Sequence, residues 1–216
     1  TPQVDSYTAP TGAGKTIIIS SLIENIYYGN EIYPDQPEAI FVWLSDSPEL
    51  NEQSKQKIDL KADKIRLDQC VTISDDSFDQ ETLYDGHIYF LNTQKLGKSS
   101  NLTKHSDSRM YTIWETLQNT AFEKSDRLYF IIDEAHRGMQ GRDAGKATTI
   151  MQKFLKGSDD DNLKPMPIVI GMTATPERFN SLVAGTTSTI HKIVTTADEV
   201  RSSGLLKDRI VITYPD

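Results

Sequence analysis

The 216 residues contain a single cysteine, Cys70. No disulfide can form within the chain, which fits a reducing compartment. Cys70 lies in an apolar run with Val71 and Ile73, where a buried and inert thiol is expected. The four histidines, His87, His105, His136 and His191, are scattered and lack the spacing of zinc ligands. No apolar run approaches the ~18 residues of a membrane helix, and no secretory leader is recognisable. Basic charge is short as well: 23 Lys and Arg stand against 31 Asp and Glu, for a net charge of −8. This excludes a uniformly basic nucleic-acid binder, but not a local basic groove. Together these absences predict a cytoplasmic chain with no membrane partner.

What is present is enough to fold. Hydrophobic residues make up 37% of the chain and charged residues 25%, and the length predicts one domain over residues 1–216. The chain opens at Thr1 rather than methionine, shortly before its most informative stretch, which suggests a fragment. That stretch is Thr8-Ala9-Pro10-Thr11-Gly12-Ala13-Gly14-Lys15-Thr16, followed by the apolar Ile17, Ile18, Ile19, Leu22, Ile23 and Ile26. Glycines without Cβ let backbone N–H groups close on phosphate oxygens, and the N-terminus of the following helix points its positive end at them. Pro10, Thr11, Gly12, Ala13 and Gly14 would form the cradle. Lys15 would reach the β and γ phosphates of ATP, and the Thr16 hydroxyl would ligate Mg²⁺. The strict pattern has glycine where Ala9 stands. A near-match at Asn92-Thr93-Gln94-Lys95-Leu96-Gly97-Lys98-Ser99 is followed by Ser100-Asn101-Leu102-Thr103-Lys104-His105-Ser106, too polar for a buried helix, and is read as a decoy.

The remaining pattern alternates strands and helices. A short strand is expected over residues 3–8, then a helix from about Gly14 to Tyr28 ended by Gly29. The runs 39–44, 69–73, 87–91, 128–132 and 167–172 read as buried strands. Ser47-Pro48-Glu49 starts a helix to about Ile58, with Ser47 as its cap. Tyr111, Trp114, Leu117, Ala121 and Phe122 recur at helical spacing and predict core packing. Ile150, Met151, Phe154 and Leu155 mark another helix. Residues 75–79 and 157–162 read as exposed acidic loops and 97–108 as a polar loop. Strands near 190–194 and 210–214 and a helix near 197–203 complete the reading. The fold class is α/β, a mostly parallel sheet flanked by helices on both faces. In such sheets ligands sit at the carboxyl ends of the strands. The loop at 9–16, Asp133-Glu134 and Thr173-Ala174-Thr175 each follow an expected strand and should gather on one edge.

ATP hydrolysis needs a metal on the phosphates, a group that orients water, and stabilisation of the moving phosphoryl group. Asp133, ending an apolar strand, is the candidate for Mg²⁺, directly or through water. Glu134 is the candidate for orienting and deprotonating the attacking water. The plain alternative is a pair of acids capping the next helix.

Three stretches then carry a family resemblance. Ile131-Ile132-Asp133-Glu134-Ala135-His136 resembles the DEAH box of superfamily 2 helicases and translocases. Gly171-Met172-Thr173-Ala174-Thr175-Pro176 resembles their third motif, and Ala9-Pro10-Thr11-Gly12-Ala13-Gly14-Lys15-Thr16 their first, in which alanine at the leading position is ordinary. Asn92-Thr93-Gln94-Lys95-Leu96, Asp133-Glu134-Ala135-His136-Arg137 and residues 199–208 carry a narrower likeness to the motor domain of type III restriction enzymes. The resemblance implies a RecA-like P-loop domain. His136, Thr173, Ala174 and Thr175 would couple nucleotide state to nucleic acid. Ser47 and Pro48, in the place of motif Ia, and Thr93 and Gln94, in that of a further strand-end motif, would touch a nucleic-acid backbone. It implies as partners DNA, with RNA an alternative, a second RecA-like domain supplying arginine fingers, and a methyltransferase or specificity subunit. Without that second domain, slow hydrolysis is expected. Two competing classes are a binding module without turnover and a P-loop ATPase unrelated to nucleic acid.

Overall fold

The computed structural model describes residues 2–8, 14–46, 48–62, 64–74, 77–134, 142–174, 176–186 and 189–194. Among these residues seven strands form one sheet: β1 (Gln3–Thr8), β2 (Ile40–Ser45), β3 (Cys70–Thr72), β4 (Ile88–Asn92), β5 (Leu128–Glu134), β6 (Ile168–Thr173) and β7 (Thr189–Val194). Their order across the sheet is β3-β4-β2-β5-β6-β1-β7. Every neighbouring pair is parallel. Among the described residues, five α-helices cover the sheet: α1 (Lys15–Tyr28), α2 (Pro48–Lys61), α3 (Ile113–Glu123), α4 (Arg142–Lys156) and α5 (Pro176–Val183). The fold is a RecA-like α/β domain.

The apolar runs explain the two-sided covering. Every residue of β2 is buried, and its side chains alternate between two cores. Ile40, Val42 and Leu44 join Trp114, Leu117, Met151, Phe154, Phe179 and Leu182 of α3, α4 and α5. Phe41 and Trp43 join Ile19, Ile23, Tyr27 and Ile58 of α1 and α2. Only a strand covered on both faces has this continuous apolar composition.

Helix ends follow local chemistry. α1 begins after Gly14, whose φ of 72° is open to glycine at little cost, and ends at Gly29, with φ 68°. α3 is capped by the Thr112 hydroxyl, which accepts from the Glu115 N–H, while the Glu115 carboxylate accepts from the Thr112 N–H. This reciprocal pair satisfies two otherwise orphaned donors.

Several expectations change in detail. α5 was not expected. Its Phe179, Leu182 and Val183 have helical spacing, but the helix is only eight residues long, too short for the period to stand out. Phe122 is 81% exposed, because α3 turns that position away from the core that takes Trp114 and Leu117. Cys70 is half-buried rather than buried, on the short edge strand β3. Burial still pushes its thiol up to about 11, against the pull of Lys55, so the unreactive reading stands. The acidic segment 157–162 is less exposed than expected, since the Asp161 carboxylate accepts from Lys153 Nζ and Ser158 Oγ. The decoy also has an explanation: Thr93–Leu96 form a 3-10 turn directly after β4, followed only by a second short 3-10 turn at Asn101–Thr103 and not by an α-helix. The helix at 197–203 and the strand at 210–214 lie outside the described residues.

Candidate functional site

The parallel registers decide which strand ends meet. Thr8 of β1 pairs with Thr173 of β6, and Thr173 pairs with Glu134 of β5. One row lower, Asp133 pairs with Ser45 of β2, and Ser45 with Asn92 of β4. Five sequence-predicted segments therefore leave the sheet at one edge: the loop after Thr8, Asp133-Glu134, Thr173-Ala174, the start of α2 after Ser45, and Thr93-Gln94.

At the centre of this edge stands Asp133, 8% exposed. Burial pushes its carboxyl up to about 6. The Trp43 indole and the Lys15 and Lys57 ammonium groups pull it down, and the neighbouring Asp46 carboxylate raises it further. Lys15, in the first turn of α1, is thus within electrostatic reach of Asp133, as a shared triphosphate would require. Thr16 follows it in the same turn. Its backbone carbonyl accepts from Ser20 Oγ at 2.6 Å. The N-terminal turn of α1 contributes positive potential on the same side. The donor set suits Mg²⁺, which is held by one or two carboxylates and a hydroxyl together with substrate phosphates rather than by an all-protein cage. Among the described residues no group of three or more His, Cys, Asp and Glu gathers to make such a cage.

The other predicted residues are distributed as follows. Gly14 is described, whereas Pro10, Thr11, Gly12 and Ala13 lie outside the described residues. So do His136, Thr175 and Ser47, and Glu134 is described by its backbone alone, as the last residue of β5. Thr173 is the last residue of β6 and fully buried, and Ala174 beside it is exposed. Pro48 is exposed at the start of α2. Thr93 is buried and Gln94 exposed, in a turn whose Lys95 N–H donates to the Asn92 side chain at 3.2 Å.

Two buried groups were missed from sequence. Asp46, 1% exposed, follows β2 just as Glu134 ends β5, so the strand-end rule already used could have found it. Trp43 gave no such signal, because an aromatic residue inside an apolar strand reads as core. Beneath the edge, Ser45 Oγ donates to Asn51 Oδ1 at 2.6 Å, tying β2 to α2.

The family model of the type III restriction enzyme res subunit matches residues 7–178, most of the chain. The chain belongs to that family. The matched span starts in β1 and ends in α5, so it includes all five segments that meet at the edge, while β7 lies beyond it. Res-subunit membership and the RecA-like sheet together make this a helicase-type motor domain. No curated protein matches the chain in sequence. Among solved structures, the UvsW helicase from bacteriophage T4 is similar at 12% identity and a TM-score of 0.44, over 88% of this chain and 54% of that one. The DUF1998 helicase MrfA bound to DNA is similar at 16% identity and a TM-score of 0.45, over 90% of this chain and 25% of that one. The res-family chain thus spans about half the length of the first and a quarter of the second.

Proposed function

We propose that this chain is the ATP-binding and hydrolysing half of a motor that moves along nucleic acid, DNA in a type III restriction system. The observation that carries the reading is a buried carboxylate, Asp133, at the strand edge where Thr8, Ser45 and Thr173 also end, within electrostatic reach of the Lys15 ammonium at the head of α1. A buried acid with a raised pKa is costly to keep in charged form, and a strand-end position facing a helix N-terminus is where a phosphate-bound cation would repay that cost.

In this reading residues 10–14 wrap the triphosphate with backbone N–H groups, and Lys15 neutralises the β and γ phosphates. Thr16 and Asp133 hold Mg²⁺, which would neutralise charge building on the phosphate oxygens. Glu134 orients the attacking water and takes its proton. Thr173, Ala174, Thr175 and His136 pass the loss of the γ phosphate to the nucleic-acid side. Ser47, Pro48, Thr93 and Gln94 meet the nucleic-acid backbone, which reads phosphate rather than sequence. A second RecA-like domain closes over the nucleotide with its arginines, and a methyltransferase or specificity subunit selects the site. The compartment is the cytoplasm.

The test is ATP turnover by the full chain, with and without double-stranded DNA, single-stranded DNA and RNA, repeated with Lys15→Ala and Glu134→Gln. DNA-stimulated turnover that both substitutions abolish is the expected result. Nucleotide binding should survive Glu134→Gln and weaken in Lys15→Ala. Turnover indifferent to nucleic acid would place the chain among other P-loop ATPases, and binding without turnover would make it a binding module.

A further inference from the structure

Trp43 is completely buried, and its indole nitrogen has no hydrogen-bond partner among the described residues. An unmade bond at a buried N–H carries the full cost of its lost hydration, and buried indoles ordinarily find an acceptor. The exception calls for a physical reason, and the sheet register supplies one. Trp43 is in register with Ile131, and Ser45 with Asp133. Side chains alternate along a strand, so Trp43, Ser45, Ile131 and Asp133 all lie on the α1–α2 face. Asp133 stands diagonally above Trp43 on the neighbouring strand, a spacing that aromatic side chains bridge. The indole stacks on Phe90, centroids 5.8 Å apart and planes 26° from parallel, and the apolar core under α1 and α2 holds it there. The nitrogen acts on Asp133 as a donor does, favouring its charged form, although the bond falls short of hydrogen-bond geometry with the carboxylate as it stands.

We propose that Trp43 is a positioning residue for Asp133: its N–H takes one carboxylate oxygen when the site is loaded and so orients the other toward the metal–nucleotide. The inference deepens the ATPase reading and rests on it for the loaded state. It assigns a role to a strand residue two positions before Ser45, outside the loop, the acidic pair and the strand-end motifs. The logic is that of ligands whose orientation is set by an outer partner, where losing the partner typically weakens metal binding by roughly 10–100-fold. An indole N–H suits the task because it only donates. It can hold a carboxylate oxygen but cannot compete with that carboxylate for the cation.

Two experiments test this on the full chain. The first needs no nucleotide. The chain has two tryptophans, Trp43 and Trp114, so Trp114→Phe leaves one indole N–H resonance in a ¹⁵N-labelled sample. Adding Asp133→Asn should move that resonance by more than its line width. An unmoved resonance shows that the indole N–H does not lie against the carboxylate and overturns the positioning role. The second compares wild type with Trp43→Phe, which keeps a stacking ring and deletes the N–H. Calorimetry with ADP alone and with ADP plus Mg²⁺ should show Mg²⁺–ADP affinity reduced about tenfold, with metal-free ADP binding unchanged. Equal loss in both titrations, or loss in neither, overturns the positioning role. A melting curve for Trp43→Phe shows whether the comparison is between folded proteins, and should Trp43→Phe not fold, the resonance experiment decides. If wild type binds no nucleotide, the ATPase reading fails, and the resonance still decides whether the Trp43 N–H lies against Asp133.

Discussion

The Phe179 ring of α5 sits directly on Gly171 of β6: a Cβ added to that glycine would stand 1.8 Å from Phe179 Cε2 and 2.5 Å from Cζ. Gly171 has no unusual φ, so the constraint is space rather than backbone conformation. The contact sets the seat of α5 on the strand that ends in Thr173.

Gly171→Ala should therefore destabilise the protein by about 3 kcal/mol, because a buried ring must move or the helix must lift. At this chain length that is a fall of roughly 6–12 °C in melting temperature. Phe179→Leu alone should also destabilise, by leaving space. The double variant should be more stable than the two losses added together, and a double-mutant cycle measures that coupling. Strict additivity would show that the ring is not the obstacle.

Arg109 is buried, donating from Nε to the Phe78 carbonyl at 3.1 Å and from Nη1 to the Asn101 carbonyl at 2.7 Å. One guanidinium thus pins two loop segments far apart in sequence. Arg109→Lys keeps the charge but not the fork geometry. It should cost about 2 kcal/mol, and urea unfolding would measure the loss. Hydrogen exchange should quicken in residues 97–110. A loss no larger than that of a surface substitution would contradict this.

Asp79 accepts the N–H groups of Met110 at 3.0 Å and Tyr111 at 2.9 Å. These two bonds hold its carboxyl below the usual range; desolvation opposes them, and Arg109 and His105 add weaker pulls in the bonds' direction. A depressed carboxyl pKa contributes stability that is present above the unfolded value and is lost as pH falls through the folded one. The Met110 and Tyr111 amide shifts should follow one titration with its midpoint below 3.8. A midpoint at or above that value would refute the arrangement.

Asp133 works in the opposite direction. Its carboxyl is raised to about 6 in the folded protein against an ordinary 3.8. Between those values the folded state holds the extra proton, so stability falls as pH rises from about 4 to 6 and stays lowered above. Asp133→Asn should stabilise the nucleotide-free protein at pH 7.5 by about 1–3 kcal/mol and should have little effect below pH 3.8. Mg²⁺-dependent nucleotide binding by wild type should weaken as pH drops through about 6, since the cation needs the charged carboxylate. Thermal melts across pH and Mg²⁺ titrations would measure both. A destabilising Asp133→Asn at pH 7.5 would reverse the assignment.

The strands and the shared edge of their carboxyl ends were legible because their signals are local. An apolar run of five or six residues reports a strand covered on both faces, and a glycine with positive φ beside Lys15-Thr16 reports a turn into a helix. Edge convergence followed from strand-end position alone, since in a parallel sheet every carboxyl end points the same way. The loop around Arg109 was illegible for the opposite reason: a buried arginine between polar residues differs from an exposed one only in what lies across from it. The eight-residue α5 was too short for its period to be counted.

Residue order was sufficient to set the α/β class, the start of α1 directly after Gly14 and the acidic pair that ends β5. Tertiary structure alone decided that Ser45 stands level with Asp133, that Trp43 lies beneath that carboxylate, and that Phe179 closes on Gly171. These contacts depend on which strands become neighbours. The β3-β4-β2-β5-β6-β1-β7 order is settled by burying two apolar faces at once, a property of the whole chain rather than of any window within it.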